Sequence, residues 1–154
     1  MKICVCSDSH GNIEGIKRML ATEKPDGLLF CGDGIEDFSG LELPEKTMFV
    51  SGNCDIFCDE PLFREFVWEN VRIIMAHGHR YSVKRTEDIY LSEALAHEAS
   101  VAIFGHTHMQ KASYNCGVLM LNAGTLGRNN EYYALLFLQN GVYDCRLMRL
   151  ESVS

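Results

Sequence analysis

The sequence lacks the features of membrane-spanning, secreted or modular proteins. No apolar stretch in its 154 residues is long enough to cross a membrane, and it has no repeat, no low-complexity tract, no linker and only three prolines. The N-terminal apolar run stops at Ser7-Asp8, which is too short for the hydrophobic region of a signal peptide. We therefore expect a single domain over residues 1–154, in the cytoplasm and without a membrane partner.

Basic residues are scarce as well. Lysine and arginine together number 14 against 21 aspartates and glutamates, which gives a formal net charge of −7. Proteins that bind nucleic acids or anionic membranes without specificity present basic surfaces, so this balance argues against both classes of partner. If the substrate is a phosphate ester, the site that binds it must be locally positive.

Cysteine, in contrast, is abundant. The chain contains seven cysteines, and Cys4, Cys6 and Cys31 lie inside apolar runs, where a thiol behaves as a small hydrophobic group. Neither Cys4-x-Cys6 nor Cys54-x3-Cys58 has the paired spacing of a zinc-thiolate site. In the absence of a secretory signal we expect these cysteines to be reduced.

The apolar pattern predicts strands that alternate with helices early in the chain and antiparallel strands that dominate late. Helices are expected at about 12–23, capped by Asn12, and at 86–98, where one apolar face comprises Ile89, Leu91, Ala94, Leu95 and Ala96. Strands are expected at 2–7, 27–31, 47–51, 63–69, 72–76, 101–104, 111–114, 118–122, 132–138 and 142–150. Turns are expected at Glu69-Asn70, Asn115-Cys116-Gly117 and Asn140-Gly141. This order predicts an α/β (α+β) sandwich, a mixed sheet with a second sheet or helices packed across it.

Five of the predicted strands end in a short loop with potential metal ligands, usually beside a glycine. In chain order these loops are Ser7-Asp8-Ser9-His10, Gly32-Asp33-Gly34, Gly52-Asn53, His77-Gly78-His79 and Gly105-His106-Thr107-His108. Sites in open α/β sheets form outside the carboxyl ends of the strands, so we expect the loops to converge on one edge. A single Asp or His after a strand is usually a cap or a solvated residue, but five such loops together favour a functional site.

The side chains of these loops suit divalent transition metals, because they offer carboxylate and amide oxygens together with imidazole nitrogens. Two carboxylates, one amide and four imidazoles are too many for one ion that must keep a position open for chemistry. They suit two ions about 3.5–4 Å apart with one bridging carboxylate. Manganese is the expected metal, with nickel, iron and zinc as alternatives, since neighbouring metals share these ligands. Two such ions would make the site positive despite the acidic chain.

As an ordered set, these motifs resemble the signature of the calcineurin-like metallophosphoesterases, and the short chain is similar to their small YfcE-type phosphodiesterases. The resemblance implies a β-sandwich flanked by helices. It implies one metal held by Asp8, His10 and His108, a second held by Asn53, His77 and His106, and Asp33 as the bridge between them. Asn122-Ala123-Gly124-Thr125 resembles the Asn-Pro-Gly-Ser segment of the family, with Ala in place of Pro.

The residue after Asn53 departs from the wider superfamily, in which a histidine there contacts the scissile phosphate and is proposed to protonate the leaving group. Here that residue is Cys54, and a neutral thiol is a weaker hydrogen-bond donor than imidazolium. Assistance to the leaving group is then weaker or comes from elsewhere, with His79 as a candidate, and Cys54 is either functional or a packing residue. The resemblance implies a metal-dependent hydrolase, most simply a phosphodiesterase, in which a hydroxide that bridges the two ions attacks phosphorus.

Three further residues and one alternative function complete the sequence-based expectations. Arg128 is a candidate contact for the phosphate of a small phosphate-ester substrate, although an isolated Arg after a turn is more often solvated. His97 is expected to be structural at the end of a helix, and Trp68 is expected to pack in the core or at a subunit contact. The alternative is a protein-interaction scaffold similar to the retromer-subunit branch of the fold, which the intact set of seven ligands disfavours. The substrate stays open, as does the oligomeric state, with a homo-oligomer among the alternatives.

Overall fold

Most strands of this chain are continuous apolar runs, which is typical of strands covered on both faces. The computed structural model describes residues 1–151. In chain order its elements are β1 (Lys2–Cys6), α1 (Ile13–Glu23), β2 (Gly27–Phe30), β3 (Lys46–Phe49), β4 (Phe63–Trp68), β5 (Val71–Ala76), α2 (Asp88–Ala96), β6 (Val101–Phe104), β7 (Lys111–Asn115), β8 (Val118–Asn122), β9 (Tyr132–Gln139) and β10 (Val142–Arg149). Short 3₁₀ turns occur at Ile35–Phe38 and His79–Tyr81.

The strands form two five-stranded mixed sheets. The first has the order β10-β9-β1-β2-β3 and the second the order β4-β5-β6-β8-β7. Within the first sheet β1, β2 and β3 run parallel. Within the second, β5, β6 and β8 run parallel. Each sheet therefore places the carboxyl ends of three parallel strands at one edge, where ligand-bearing loops can meet.

Three apolar clusters hold the sandwich together. The largest lies between the sheets and includes Ile3, Leu29, Ile73, Ile103 and Leu121. The second packs α1 on the outer face of the first sheet, and the third packs α2 on the outer face of the second sheet. The predicted β-sandwich flanked by helices is confirmed. Within residues 1–151, no helix is long and apolar enough to span a membrane.

Local sequence signals account for the ends of several elements. The side chain of Asn12 accepts a hydrogen bond from the Gly15 N–H at 3.1 Å, which confirms the predicted cap of α1. Both residues of the Asn140-Gly141 turn have positive φ, at 45° and 88°, as do both residues of Glu69-Asn70. Such values are typical of the two-residue hairpin turns that match the twist of antiparallel strands.

The structure corrects the predicted apolar face of α2. This helix begins at Asp88 rather than at residue 86, and its buried residues are Tyr90 and Ala94. Ile89 and Leu95, which were expected to be buried, are 51% and 46% exposed. The ring of Tyr90 is fully buried and its hydroxyl donates to the Ile103 carbonyl at 2.6 Å. A large aromatic side chain with its polar tip satisfied therefore sets the rotation of the helix. The other element boundaries agree with those expected to within two residues.

His97 links the end of α2 to the neighbouring sheet. Its Nδ1 lies 2.6 Å from the Glu65 carboxylate on β4, and its Nε2 lies 2.9 Å from Glu93. The hydrogen bond to Glu65 raises the pKa of His97 above its ordinary value of 6.5, and the hydrogen bond to Glu93 adds to this effect. The contacts of His97 are therefore structural.

We expect Glu65→Gln to lower the pKa of His97, because the variant loses the negative charge nearest to the imidazolium. The stability that this ion pair contributes is fully present below pH 6.5 and is lost as the pH rises through the raised folded-state pKa. An NMR titration of the His97 ring in both proteins measures the shift. Glu69→Gln, in the exposed turn after β4, is the matched control, and an unchanged His97 pKa in Glu65→Gln would contradict the assignment.

Candidate metal centre

The ends of four parallel strands bring six Asp and His side chains together. Asp8 and His10 follow β1, Asp33 follows β2, His77 follows β5, and two histidines follow β6. The six form two groups of three, in each of which the candidate ligand atoms lie within 4.8 Å of one another: Asp8, His10 and His108, and Asp33, His77 and His106. The expected convergence of these loops is therefore seen for all six of the predicted Asp and His ligands.

The first group is a triangle of one carboxylate oxygen and two imidazole nitrogens. Asp8 Oδ1 lies 3.1 Å from His108 Nε2 and 3.7 Å from His10 Nε2, and the two nitrogens are 3.4 Å apart. The other oxygen of Asp8 accepts hydrogen bonds from the Ser7 hydroxyl and the His106 N–H. These two bonds orient the carboxylate so that Oδ1 faces the histidines.

The second group adjoins the first. His77 Nε2 lies 3.2 Å from Asp33 Oδ2, 3.1 Å from His106 Nδ1 and 3.8 Å from Asp8 Oδ1. His77 Nδ1 lies 2.7 Å from the carbonyl oxygen of Cys31. Because a carbonyl only accepts, Nδ1 is the donor and the lone pair of a neutral His77 is on Nε2, the atom that faces the group.

The donor set fits divalent metal ions. An ion about 2.1 Å from each of its ligands places neighbouring ligand atoms about 3.0–3.4 Å apart, which is close to the spacing of both groups. Asp8 and Asp33 are 0% and 4% exposed. Within residues 1–151 their ion-pair partners are imidazoles alone, with no Lys or Arg among them. Buried carboxylates are costly without a cation, and a metal ion supplies one.

Burial and neighbouring charges shift the pKa values of the second group in different directions. Burial would raise the pKa of Asp33, but hydrogen bonds from His77 and the Cys54 N–H hold that pKa well below its usual range. Burial would lower the pKa of His77, but Asp33 and Asp8 raise it overall. Burial and the neighbouring His77 lower the pKa of His106. Asp33 is therefore ionised and His106 neutral near pH 7, which are the forms that coordinate metals.

Five of the predicted ligands have a left-handed backbone. The φ angles are 53° at Asp8, 42° at His10, 64° at Asp33, 69° at His106 and 63° at His108. Asp and His enter this region more readily than most residues, but each still costs about 1–2 kcal/mol. These residues lie in the loops after β1, β2 and β6, where the left-handed backbone turns the chain sharply after each strand. The sequence carried no signal for it beyond the neighbouring glycines.

Glycines next to the ligands permit close packing of the loops. A Cβ on Gly52 would lie 2.1 Å from Asp33 Oδ1 and 2.7 Å from the Asp33 nitrogen. A Cβ on Gly105 would lie 2.1 Å from the Ser7 hydroxyl and 2.9 Å from Asp8 Oδ2. Any larger residue at either position would displace a carboxylate of the site.

Asp55 is a positioning residue that the sequence analysis did not identify. Its carboxylate accepts hydrogen bonds from four backbone N–H groups, those of Asp33 at 2.6 Å, Gly34 at 3.0 Å, Ile35 at 3.1 Å and Gly52 at 2.8 Å. The loops after β2 and β3 are thereby tied to one side chain. Its only sequence signal was its place two residues after a predicted ligand.

Three further polar residues support the remaining loops. Asp37 is buried and accepts from the Ser9 hydroxyl at 2.7 Å and the Gly11 N–H at 2.8 Å. Thr125 donates to the Asp8 carbonyl at 2.7 Å, and Asn122 donates to the Gly105 carbonyl at 3.1 Å. The 122–125 segment thus contacts the loops after β1 and β6. Asp37 lies in the 3₁₀ turn after β2 and had no distinguishing sequence signal.

Asn53 and Cys54 lie on an exposed part of the loop beside the second group. The Asn53 amide nitrogen is 3.7 Å from Cys54 Sγ, and no hydrogen bond joins the Asn53 side chain to another predicted ligand within the described residues. The Cys54 N–H donates to Asp33 Oδ1 at 2.9 Å. Partial burial and the Asp33 charge raise the pKa of the Cys54 thiol. Cys54 thus contacts the site through its backbone, and its thiol is protonated near pH 7.

His79 and Arg128 lie at the margin of the centre. The His79 ring centroid is 5.5 Å from that of His77 and 6.2 Å from that of His106. Partial burial and the neighbouring His77 lower the pKa of His79. Arg128 is exposed and its Nη2 donates to the Gly11 carbonyl at 3.2 Å, which places the guanidinium beside the loop that carries His10.

Comparisons with known proteins agree with this geometry. The model of the calcineurin-like phosphoesterase superfamily domain matches residues 1–141. The probable metallophosphoesterase YsnB of Bacillus subtilis is 32% identical over 151 residues, covering 91% of this chain and 86% of that protein.

Several solved structures have the same fold. A conserved uncharacterized protein of Streptococcus pneumoniae, described as a predicted phosphoesterase, has a TM-score of 0.80 at 23% identity, covering 96% of this chain and 88% of that one. Vps29 of Entamoeba histolytica, complexed with Zn²⁺, has a TM-score of 0.80 at 19% identity, over 97% and 99% of the two chains. A novel archaeal phosphodiesterase has a TM-score of 0.73 at 18% identity, over 96% and 100%. At these identities the similarity concerns the fold alone.

The strain at His10 predicts an unusual order of stability. In the metal-free protein we expect His10→Gly to be more stable than His10→Ala by about 1 kcal/mol, because glycine adopts a positive φ without a Cβ clash. Denaturant unfolding of both variants measures the difference. Lys17, exposed on α1, is the control, where glycine should be about 1 kcal/mol less stable than alanine. A more stable alanine at position 10 would refute the strain.

The network of Asp55 predicts that metal affinity depends on a residue that is not a ligand. Asp55→Asn replaces an acceptor oxygen by an NH₂ group that faces backbone donors, so the loop of Asp33 should loosen. We expect Mn²⁺ to bind about 10–100-fold more weakly, as measured by isothermal titration. Asp59→Asn, an exposed change in the same loop, should leave the affinity unaltered. Equal affinity in Asp55→Asn and the parent would count against the positioning role.

Proposed function

Because this chain belongs to the calcineurin-like phosphoesterase superfamily, we propose that it is a dinuclear metal-dependent phosphodiesterase that hydrolyses a small phosphodiester. The observation that carries the proposal is the pair of adjoining ligand groups. Their buried carboxylates have only imidazoles as ion-pair partners in residues 1–151. A site of this composition gains stability from bound cations and is poorly suited to a purely structural role.

The proposed ligands divide as the family resemblance implies. Asp8, His10 and His108 would hold one ion, His77, His106 and Asn53 the other, and Asp33 would bridge them. When bound, two such ions supply Lewis-acid activation of water and of the phosphoryl oxygens. Manganese is the proposed metal, with nickel, iron and zinc as alternatives that share these ligands.

The protein residues position the reactants and balance charge. Asp8 and Asp33 would offset part of the positive charge of two bound ions, so that the remaining positive charge could attract the substrate phosphate. The hydrogen bond from His77 Nδ1 to the Cys31 carbonyl keeps the ring oriented with Nε2 toward the centre. Arg128, beside the His10 loop, would bind a non-bridging phosphate oxygen through a charge-assisted hydrogen bond.

The weak acids around the centre support a diester substrate. The thiol of Cys54 has a raised pKa and is a poor hydrogen-bond donor. His79 has a lowered pKa, so its ring is neutral near pH 7. Neither residue offers a strong acid to a departing alkoxide, which favours esters whose leaving group departs without protonation. The name of the archaeal phosphodiesterase of the same fold is consistent with this substrate class.

The alternative function, a non-catalytic scaffold, is less well supported. The likeness to Vps29 concerns the fold, and it favours neither function. A scaffold has no need of a complete ligand set, whereas all seven ligand positions here carry competent residues. The backbone strain at five of them is a cost that a functional site explains.

The test is hydrolysis of bis(p-nitrophenyl) phosphate by chelator-treated protein with and without added Mn²⁺ or Ni²⁺. We expect no turnover without metal and restored turnover with it. Asp33→Asn should lower the rate by more than about a hundredfold and reduce the occupancy of both metals, since a bridging ligand is lost. Asp144→Asn, an exposed change on β10, is the control. Equal rates with and without metal, or no hydrolysis in either case, would contradict the proposal.

A further inference from the structure

A cavity of about 540 Å³ adjoins the metal centre beside the loop between β3 and β4. Its lining includes His10 and Asp33 of the metal centre together with Ile56, Phe57 and Cys58 of that loop. Cavities of about 300–1,000 Å³ are typical of small-molecule sites. The space is therefore larger than a phosphate group at the metal centre needs, and the surplus lies toward Phe57.

The far end of the cavity is a turn held in a fixed position. The Cys58 N–H donates to the Asp55 carbonyl at 3.3 Å, which closes a turn with Ile56 and Phe57 at its centre. The same Asp55 binds four backbone N–H groups through its carboxylate. The position of the turn is thus tied to the loop of Asp33.

The two central residues of this turn are of types that are uncommon at central turn positions. Central turn positions usually hold Pro, Asn, Asp or Gly, for reasons of backbone conformation. Here they are Ile56, 76% exposed, and Phe57, 96% exposed. A single exposed apolar residue is ordinary. Two in succession, on an anchored turn that lines a cavity, form an apolar surface that a ligand can cover.

The charges that line the cavity restrict the ligand. Its lining includes the carboxylates of Glu36, Asp37 and Asp55 but no Lys or Arg. Asp37 and Asp55 already accept hydrogen bonds from the protein, whereas Glu36 is exposed. Arg128 donates a hydrogen bond to the carbonyl of Gly11, which lines the cavity beside His10. Negative charge on a ligand is favoured at the metal end and opposed near the turn.

We propose that this cavity binds an ester substituent of the substrate, and that the substituent is an uncharged aromatic ring packed on Phe57 and Ile56. The inference rests on the proposed function, because it places the phosphate of the same substrate at the metal centre. It names the substrate class as phosphate esters with an uncharged aryl or heteroaryl group. Esters with a second anionic group near the turn should bind more weakly, because Glu36 repels them.

The test compares the binding of phenyl phosphate and methyl phosphate to the Mn²⁺-loaded protein by isothermal titration. The parent protein should bind phenyl phosphate about fivefold to tenfold more tightly, through the aromatic contact. In Phe57→Ala this ratio should fall to near one, with the affinity for methyl phosphate unchanged. Phe57→Trp should keep the preference, as should Val142→Ala, a control at a residue 71% exposed on the distant hairpin.

A second comparison tests the charge. 4-Carboxyphenyl phosphate should bind more weakly than phenyl phosphate, and Glu36→Gln should narrow that difference. The proposal is overturned if the parent protein does not distinguish phenyl from methyl phosphate, or if Phe57→Ala keeps the preference. If the preference depends on Phe57 but bis(p-nitrophenyl) phosphate is not hydrolysed, the pocket is supported and the proposed enzymatic function is wrong. If bis(p-nitrophenyl) phosphate is hydrolysed but phenyl phosphate is not preferred, the enzymatic function is supported and the proposed pocket is wrong.

Discussion

Two buried carboxylates, which have no Lys or Arg partner within the described residues, are the constraint on which this structure depends. Asp8 and Asp33 lie at the carboxyl ends of neighbouring parallel strands, and within residues 1–151 their ion-pair partners are imidazoles. Hydrogen bonds from the protein satisfy only part of each carboxylate. The remaining oxygens face the histidines. An acidic chain can therefore bind an anionic substrate, provided that metal ions reverse the sign of the charge locally.

The rest of the architecture supports this arrangement. Parallel strands bring the loops to one edge, left-handed residues turn them inward, and Asp55 and Asp37 tie their backbones. The cost of the strained residues is offset by apolar clusters on both faces of both sheets. The rigidity that holds the ligands also fixes the turn at Ile56 and Phe57. In the proposed function, metal binding and substrate choice would therefore be coupled through one side chain, that of Asp55.

Sequence patterns were sufficient where a signal is local. The Asn12 cap, the Asn140-Gly141 hairpin and the buried strands depend on residues close in the chain. The rotation of α2 was predicted wrongly, because periodicity alone cannot weigh two aliphatic residues against one tyrosine with a distant hydrogen-bond acceptor. Asp55 was overlooked for a related reason. Three of its four partners lie at least 20 residues away, and no local pattern reports such contacts.

Residue identity and the order of the predicted strands were enough to predict the family, the types of candidate ligand and the order of their loops along the chain. Sheet packing, which no local pattern reports, decides which candidate ligand atoms face one another and which cavity the centre opens into. It also places the side chain of Asn53 on an exposed part of its loop. The physical reason is distance along the chain. Asp8 and His108 are 100 residues apart and meet only when the two sheets pack.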